Sequence, residues 1–254
     1  MIVVLLPAYN EEEGLPPLLA TLADVARECR DDLRVIVVND GSRDRTREAA
    51  LGFADRLRLH VVDHAENRGL AEAMRTGLRE ALKSLAPPGA TATLDAIVTM
   101  DADNTHSPWL IPRMLMQLRE GSDIVIASRY RPGAHVRGVT RTRRLLSWGG
   151  GWIFRLLLPI PGARDYTCGY RAFRAELLQR AVARYGDAFI TEPGFSCMVD
   201  ILLKLNAFAP IVTEVPLVLR YDRKRGPSKM RVGDTALRSL RLALRRRFGT
   251  DRLA

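Results

Sequence analysis

Asp101-Ala102-Asp103 follows directly on the apolar run Ala96-Ile97-Val98-Thr99-Met100. Two carboxylates one residue apart, just past a buried strand, suit a divalent cation where a sheet opens into its ligand crevice. Taken alone, the pair reads better as a solvated strand-end loop. Its weight comes from two earlier apolar runs, one ending in Pro7-Ala8-Tyr9-Asn10-Glu11-Glu12 and the other in Asn39-Asp40-Gly41-Ser42-Arg43-Asp44. Three strands that discharge acidic and small polar residues at one end form the pattern of a nucleotide-sugar site.

Such residues converge only if the strands lie side by side. Residues 2–7, 33–39, 57–62, 95–100 and 123–127 read as strands, apolar almost throughout as burial on both faces demands. Helices are expected between them over 14–30, 46–53, 70–84 and 108–119. The first carries Leu18, Leu19, Leu22 and Val25 on one face. Asp44 is a good cap for the second, and Pro87-Pro88-Gly89 breaks the third. Strands alternating with helices predict an α/β, doubly wound, mostly parallel sheet. Beyond Arg129, helices are expected over 175–184 and 194–205 and a strand over 211–219. A helical tail over 231–248 carries Leu237, Leu240 and Leu244 on one stripe and arginines on the other. No repeat appears, so the economical division is one domain over 1–230 and a basic amphipathic C-terminal helix over 231–254.

A chain of 254 residues, 47% hydrophobic, can bury one large core. No stretch reaches the roughly 18 apolar residues of a spanning helix. The strand-like start, with no basic leader or cleavage site, points to a cytoplasmic protein. Cys29, Cys168 and Cys197 have neither metal spacing nor a disulfide framework, and read as packing or loop thiols. The net charge of +10 is divided. Residues 1–128 carry 14 Lys and Arg against 20 Asp and Glu, and residues 129–254 carry 25 against 9. An acidic, metal-capable half joined to a basic half suggests a cation handled by one and an anionic partner held by the other. Nucleic acid is disfavoured, because no zinc finger, RNA-binding signature or aromatic-interleaved basic stripe is present. An anionic membrane surface is preferred. The basic stretch over 131–144 holds Arg131, Arg137, Arg141, Arg143 and Arg144, and the Trp-bearing segment over 145–158 follows it. That segment reads equally as a core helix or as an interfacial one.

The motifs named above, with Asn67-Arg68-Gly69, Ser128-Arg129-Tyr130, the run from Asp165 to Arg171 and the run from Arg223 to Lys229, resemble those of family-2 glycosyltransferases. They are most similar to the branch of dolichol-phosphate mannosyltransferases and related polyprenyl-phosphate glycosyltransferases. The resemblance spans nearly the whole chain. It implies the GT-A fold, with a Rossmann-like nucleotide half over 1–128 and an acceptor half over 129–230. It implies that Pro7, Ala8, Tyr9, Glu11, Asp40, Asp101 and Ala102 line the nucleotide pocket. Asp101 and Asp103 hold Mg²⁺ or Mn²⁺, joined by Thr105 where close relatives have Gln. Asp103, Arg129, Arg223 and Lys229 are the implied catalytic residues, and Arg129, Arg144, Arg171, Arg223 and Lys229 take an acceptor phosphate.

The implied reaction is metal-dependent, inverting transfer of a hexose from a nucleoside-diphosphate sugar to a polyprenyl phosphate. It occurs at the inner face of the membrane, by a peripheral protein with or without a membrane-protein partner. GDP-mannose is the donor of the mannosyltransferase branch, while the residues leave guanine or uracil, and the sugar, open. A lipid monophosphate is already anionic and needs cations, whereas a sugar hydroxyl needs a general base. For a hydroxyl acceptor, Glu192 or Asp200 would be that base. A non-catalytic sugar-nucleotide-binding subunit is the alternative outside enzymes. A nucleotidyltransferase is disfavoured, because no Gly-rich basic loop follows the first strand.

Overall fold

The computed structural model describes residues 1–29, 31–87, 94–138, 154–224 and 241–245. Strand β1 (Ile2–Ala8) is the axis, with Ile2 to Leu6 wholly buried. It pairs in parallel with β2 (Leu33–Asn39) on one side and β4 (Ala96–Thr99) on the other. Strand β3 (Arg58–Asp63) adds to β2, again in parallel. It forms an outer edge of the sheet, so its residues alternate in exposure where full burial was expected.

Helices α1 (Leu15–Glu28), α2 (Thr46–Leu51), α3 (Leu70–Lys83) and α4 (Ile111–Arg119) alternate with these strands and with β5 (Ile124–Ser128), as the apolar periodicity predicts. Helix α1 buries Leu15, Leu18, Leu19, Leu22, Ala23 and Val25, the face read from the sequence plus its flanks. Helix α3 lies very close to β1. A Cβ at Gly77 would fall 2.1 Å from Leu5 Cδ1, so any larger residue would force the buried Leu5 side chain to move.

Sequence and structure part company after Arg129. Strand β6 (His135–Arg137) was unforeseen, as was β7 (Arg171–Arg174), which enters the sheet antiparallel between β4 and β5. The seven-stranded order is β3-β2-β1-β4-β7-β5, closed by β8 (Val212–Pro216). The single strand expected over 211–219 is two. Pro216 lacks the N–H that would continue the ladder, and β9 (Val218–Arg220) leaves to pair with β6 in a separate two-stranded sheet. Helices α5 (Ala175–Tyr185) and α6 (Cys197–Asn206) complete the fold, the second entered through a 3₁₀ turn at Gly194–Ser196.

Of the Trp-bearing segment, residues 154–158 are described, and Trp148 and Trp152 lie outside the described residues. Phe154 is buried and stacks on Tyr166 at 5.7 Å, whereas Leu156 is 82% exposed. Of the C-terminal helix, 241–245 are described and helical. Leu242 and Ala243 are buried there while Leu244 is 40% exposed, so the buried face is not the stripe expected through Leu244. Among the described residues, no helix is long and apolar enough to cross a membrane.

Candidate active site

The ends of β1, β2 and β4 meet in one place because their exit loops bond to each other. After β1, Asn10 turns with φ 51°, its N–H donating to Ser42 Oγ and its Oδ1 accepting from Arg43 N. Glu11 N donates to Thr46 Oγ1 and Glu12 N to Asp44 Oδ2. Asp44 also accepts from Thr46 N at 3.0 Å, but the N-cap of α2 is Arg45, so Asp44 stands one residue ahead of the capping position expected of it. The loop after β2 is pressed equally hard on its other side. Gly41 has φ 66°, and a Cβ there would sit 2.1 Å from the carbonyl carbon of Glu66.

Asp40 locks this second contact. Its carboxylate accepts from Arg68 N at 3.0 Å, Gly69 N at 2.8 Å and His64 Nδ1 at 2.6 Å. The opposite nitrogen of His64 meets Thr76 Oγ1 at 3.0 Å. A carboxylate has about four acceptor positions, so Asp40 enters the site with three already engaged at the start of α3.

The loops frame a cleft of ≈ 520 Å³. The nucleotide-side candidates Pro7, Ala8, Tyr9, Glu11, Asp40, Asp101 and Ala102 all line it, together with Asp103, Thr105 and Arg129. Thr105 turns its hydroxyl onto Asp103 Oδ1 at 2.7 Å and its N–H onto the same oxygen at 3.1 Å, which fixes the carboxylate's direction. The other oxygen, Oδ2, accepts from Lys224 Nζ at 2.5 Å. Burial pushes the Asp103 carboxyl up, but the Lys224 ammonium outweighs this and holds it below the usual range. Asp101 has the opposite outcome: burial, with the charge of Asp103 adding, raises it, against His106 and Lys224. The pair therefore forms a patch that favours positive charge.

Arg129 closes another side. Its Nε and Nη2 donate to the two oxygens of Asp165 at 2.8 and 2.6 Å, and Nη2 also reaches Thr167 Oγ1. Asp165 is wholly buried and additionally accepts from Arg129 N and Cys168 N. Burial pushes its carboxyl up, but the Arg129 guanidinium overrides this and leaves it low.

Several expected residues are elsewhere. Arg171 does not face the cleft. It sits on β7 at 0% exposure, with Nη1 and Nη2 donating to the carbonyls of Met198 and Tyr166. It ties α6 to the sheet and does not line the cleft. Arg223 is exposed and does not line the cleft, whereas its neighbour Lys224 does. Arg144 and Lys229 lie outside the described residues. Asp200 is at 0% exposure, accepting from Thr191 N and Oγ1, Glu192 N and Lys204 Nζ. It anchors the loop that precedes α6 and is out of reach of a substrate. Glu192 Oε1 accepts from Arg245 Nη2 at 2.6 Å.

Sequence reasoning missed Lys224, the supporting Asp165, and the wall formed by Pro193, Gly194, Phe195 and Ser196. Lys224 stood in plain view in the run Arg223-Lys224-Arg225. Spacing alone gave no means of choosing among three adjacent cations.

Comparison with known proteins agrees with this geometry. The profile described as "Glycosyl transferase family 2" matches residues 3–181. The chain is 34% identical over 233 residues to the undecaprenyl-phosphate mannosyltransferase of Micrococcus luteus, covering 91% of this chain and 88% of that one. It is 31% identical over 239 residues to the dolichol-phosphate mannosyltransferase of Pyrococcus furiosus, covering 94% of this chain and 61% of the relative. Among solved structures it superposes on glucosyl-3-phosphoglycerate synthase from Mycobacterium tuberculosis, crystallised with Mn²⁺, uridine diphosphate and glucosyl-3-phosphoglycerate. That match has a TM-score of 0.65 and 22% identity, covering 97% of this chain and 80% of that one. A mixed seven-stranded sheet with an acidic cleft at its strand ends defines an α/β enzyme of the GT-A class. The chain belongs to glycosyl transferase family 2, and its activity is glycosyl transfer.

Proposed function

We propose that the protein moves a hexose, mannose for preference, from a nucleoside-diphosphate sugar onto a polyprenyl phosphate at the cytoplasmic membrane face, with inversion. The observation that carries this reading is the meeting of Asp101 and Asp103 with Arg129 and Lys224 in one cleft, while Asp200 is buried in structural bonds. Cations beside a cleft suit an acceptor that is already anionic. The names of the Micrococcus and Pyrococcus relatives support the same acceptor class and sugar.

In this reading Tyr9 and Glu11 face the nucleoside, and Arg129 and Lys224 hold the phosphates. An oxygen of the acceptor phosphate attacks the anomeric carbon as that carbon's bond to the diphosphate oxygen breaks. The electron pair departs with the nucleoside diphosphate, and one displacement inverts the centre. Asp101 and Asp103 fit Mg²⁺ or Mn²⁺, since the place beside Asp103 already receives a cation, the Lys224 ammonium. Among the described residues, no group of three or more His, Cys, Asp or Glu side chains could hold a metal by itself. Two carboxylates completed by substrate phosphates is a common provision for Mg²⁺. Once bound, the ion offsets charge gathering on the leaving diphosphate. Thr105 orients Asp103 in this arrangement. The test is to incubate the protein with labelled GDP-mannose or UDP-glucose, polyprenyl phosphate and Mn²⁺. Label should enter the organic phase and stop doing so with EDTA; unchanged transfer with EDTA refutes the metal dependence.

Asp200→Asn separates this from transfer to a saccharide hydroxyl. Loss of a general base costs about 10²–10⁴-fold in rate. We expect turnover within about tenfold of wild type at a temperature where the variant is folded, together with a lower melting temperature, because Lys204 loses its counter-charge. A 10²-fold or greater loss of turnover in folded protein would favour the hydroxyl acceptor.

For the membrane, the exposed Leu156 and the arginines of the C-terminal helix support peripheral contact. Each arginine near an anionic leaflet contributes on the order of 1 kcal/mol, fading within a Debye length. Co-sedimentation with anionic vesicles should weaken in high salt without vanishing, and truncation after Gly233 should reduce it. Absence of binding at low salt would remove the membrane part of the proposal.

A further inference from the structure

Both carboxylate oxygens of Asp103 are engaged by groups of this chain. Oδ1 accepts two bonds from Thr105, and Oδ2 accepts from Lys224 Nζ at 2.5 Å. The side chains of Lys224 and Asp103 are only 14% and 11% exposed, so water screens this pair little. The backbone bearing Lys224 is tied to the Asp103 loop independently. Arg220 N donates to Thr105 O at 2.9 Å, and Lys224 N to Tyr221 O at 3.2 Å. The ammonium, on a flexible four-carbon stem, can therefore leave Asp103 while its backbone stays in place. Glu11 lies near enough to favour the charged amine as well.

We propose that Lys224 is a built-in counter-cation that occupies the metal's side of Asp103 until a nucleoside diphosphate arrives, and then transfers its ammonium to the diphosphate. This rests on the reading of Asp101 and Asp103 as the metal site. Before donor binds, a divalent ion must displace the half-buried ammonium from its 2.5 Å contact with Asp103, leaving it the weaker attraction of Glu11. With the diphosphate in place, the ammonium has a new partner and Asp103 is released to the metal. Metal and nucleotide therefore bind synergistically, and the coupling is reciprocal. The device keeps the buried Asp103 carboxylate compensated before donor binds, and makes metal capture conditional on donor.

The test is Mn²⁺ binding by the full chain, read from the electron paramagnetic resonance signal of free Mn²⁺, without nucleotide and with GDP or UDP. Wild type should bind Mn²⁺ weakly alone and at least about tenfold more tightly with its nucleotide. Lys224→Met should bind Mn²⁺ alone at least about tenfold more tightly than wild type, with a smaller gain on adding nucleotide. Lys224→Arg should stay near wild type, and Asp103→Asn should lose binding under both conditions. Equal or weaker nucleotide-free binding by Lys224→Met, with Asp103→Asn still defective, overturns the counter-cation role and leaves the metal site standing. Wild-type Mn²⁺ affinity that nucleotide does not change overturns it too, even if the methionine variant fails to fold. No Mn²⁺ uptake by wild type with either nucleotide removes the metal site and the counter-cation together.

Discussion

Asp103→Ala is expected to abolish detectable sugar transfer, a loss of at least about 10²–10³-fold, as when one group stabilising developing negative charge is removed from an active site. Asp103 is where Thr105 and Lys224 converge, each on a different oxygen of the same carboxylate. Alanine removes the metal's anchor and leaves the Lys224 ammonium half-buried with its counter-ion gone. Asp103→Asn keeps the shape, allows the Thr105 contacts in part, and should lose nearly as much. Turnover at saturating Mn²⁺ is the measurement, with circular dichroism to establish folding. Wild-type rates in either folded variant would contradict the assignment.

Asp165→Ala should produce the largest loss of stability, about 3–5 kcal/mol, the range for removing one partner of a buried ion pair. Arg129 donates to Asp165 through its backbone N–H, Nε and Nη2, and alanine strips all three contacts. Urea denaturation at neutral pH measures the change. The pH dependence carries a sign. Because the folded carboxyl lies below its ordinary value, its contribution is complete above the unfolded pKa of about 3.9. It is lost as pH falls from there toward the depressed folded value. The wild type should therefore lose more stability than the variant on acidification below about pH 4, where this group alone separates the two. Parallel pH profiles would show that Asp165 is not held ionised by Arg129. The variant should also transfer sugar poorly, because Arg129 would lose the fork that aims it along the cleft wall.

The first half of the chain was legible because burial on both faces writes a simple signal. Strands β1, β2 and β4 are continuous apolar runs, and the polar residues at their ends are those that line the cleft. Strand β7 was not legible. Its Arg171-Ala172-Phe173-Arg174 sets only two apolar residues between two arginines, and nothing local says that Arg171 is satisfied by two distant carbonyls inside the core. The same blindness hid the surroundings of Asp200, a candidate base only for a hydroxyl acceptor, whose partners come from a preceding loop and from Lys204 one turn along the helix. Arg223 and Lys224 differ by one position, and it is Lys224 that lines the cleft. At a 3₁₀ turn, a shift of one residue decides which side chain enters the cleft and which meets solvent. Asp40 lines the cleft as expected of its place after β2, but its bonds to the Arg68 and Gly69 amides required knowing that the second loop folds back onto α3.

The central claim is transfer onto a phosphate rather than onto a hydroxyl. The direct measurement is a parallel assay in which purified protein, Mn²⁺ and labelled sugar nucleotide meet polyprenyl phosphate, the corresponding polyprenol, or a free saccharide. Label should pass to the polyprenyl phosphate alone, giving an acid-labile lipid-linked sugar with the anomeric configuration inverted from the donor. Transfer to the polyprenol or the saccharide at a comparable rate, with none to the phosphate, would contradict it.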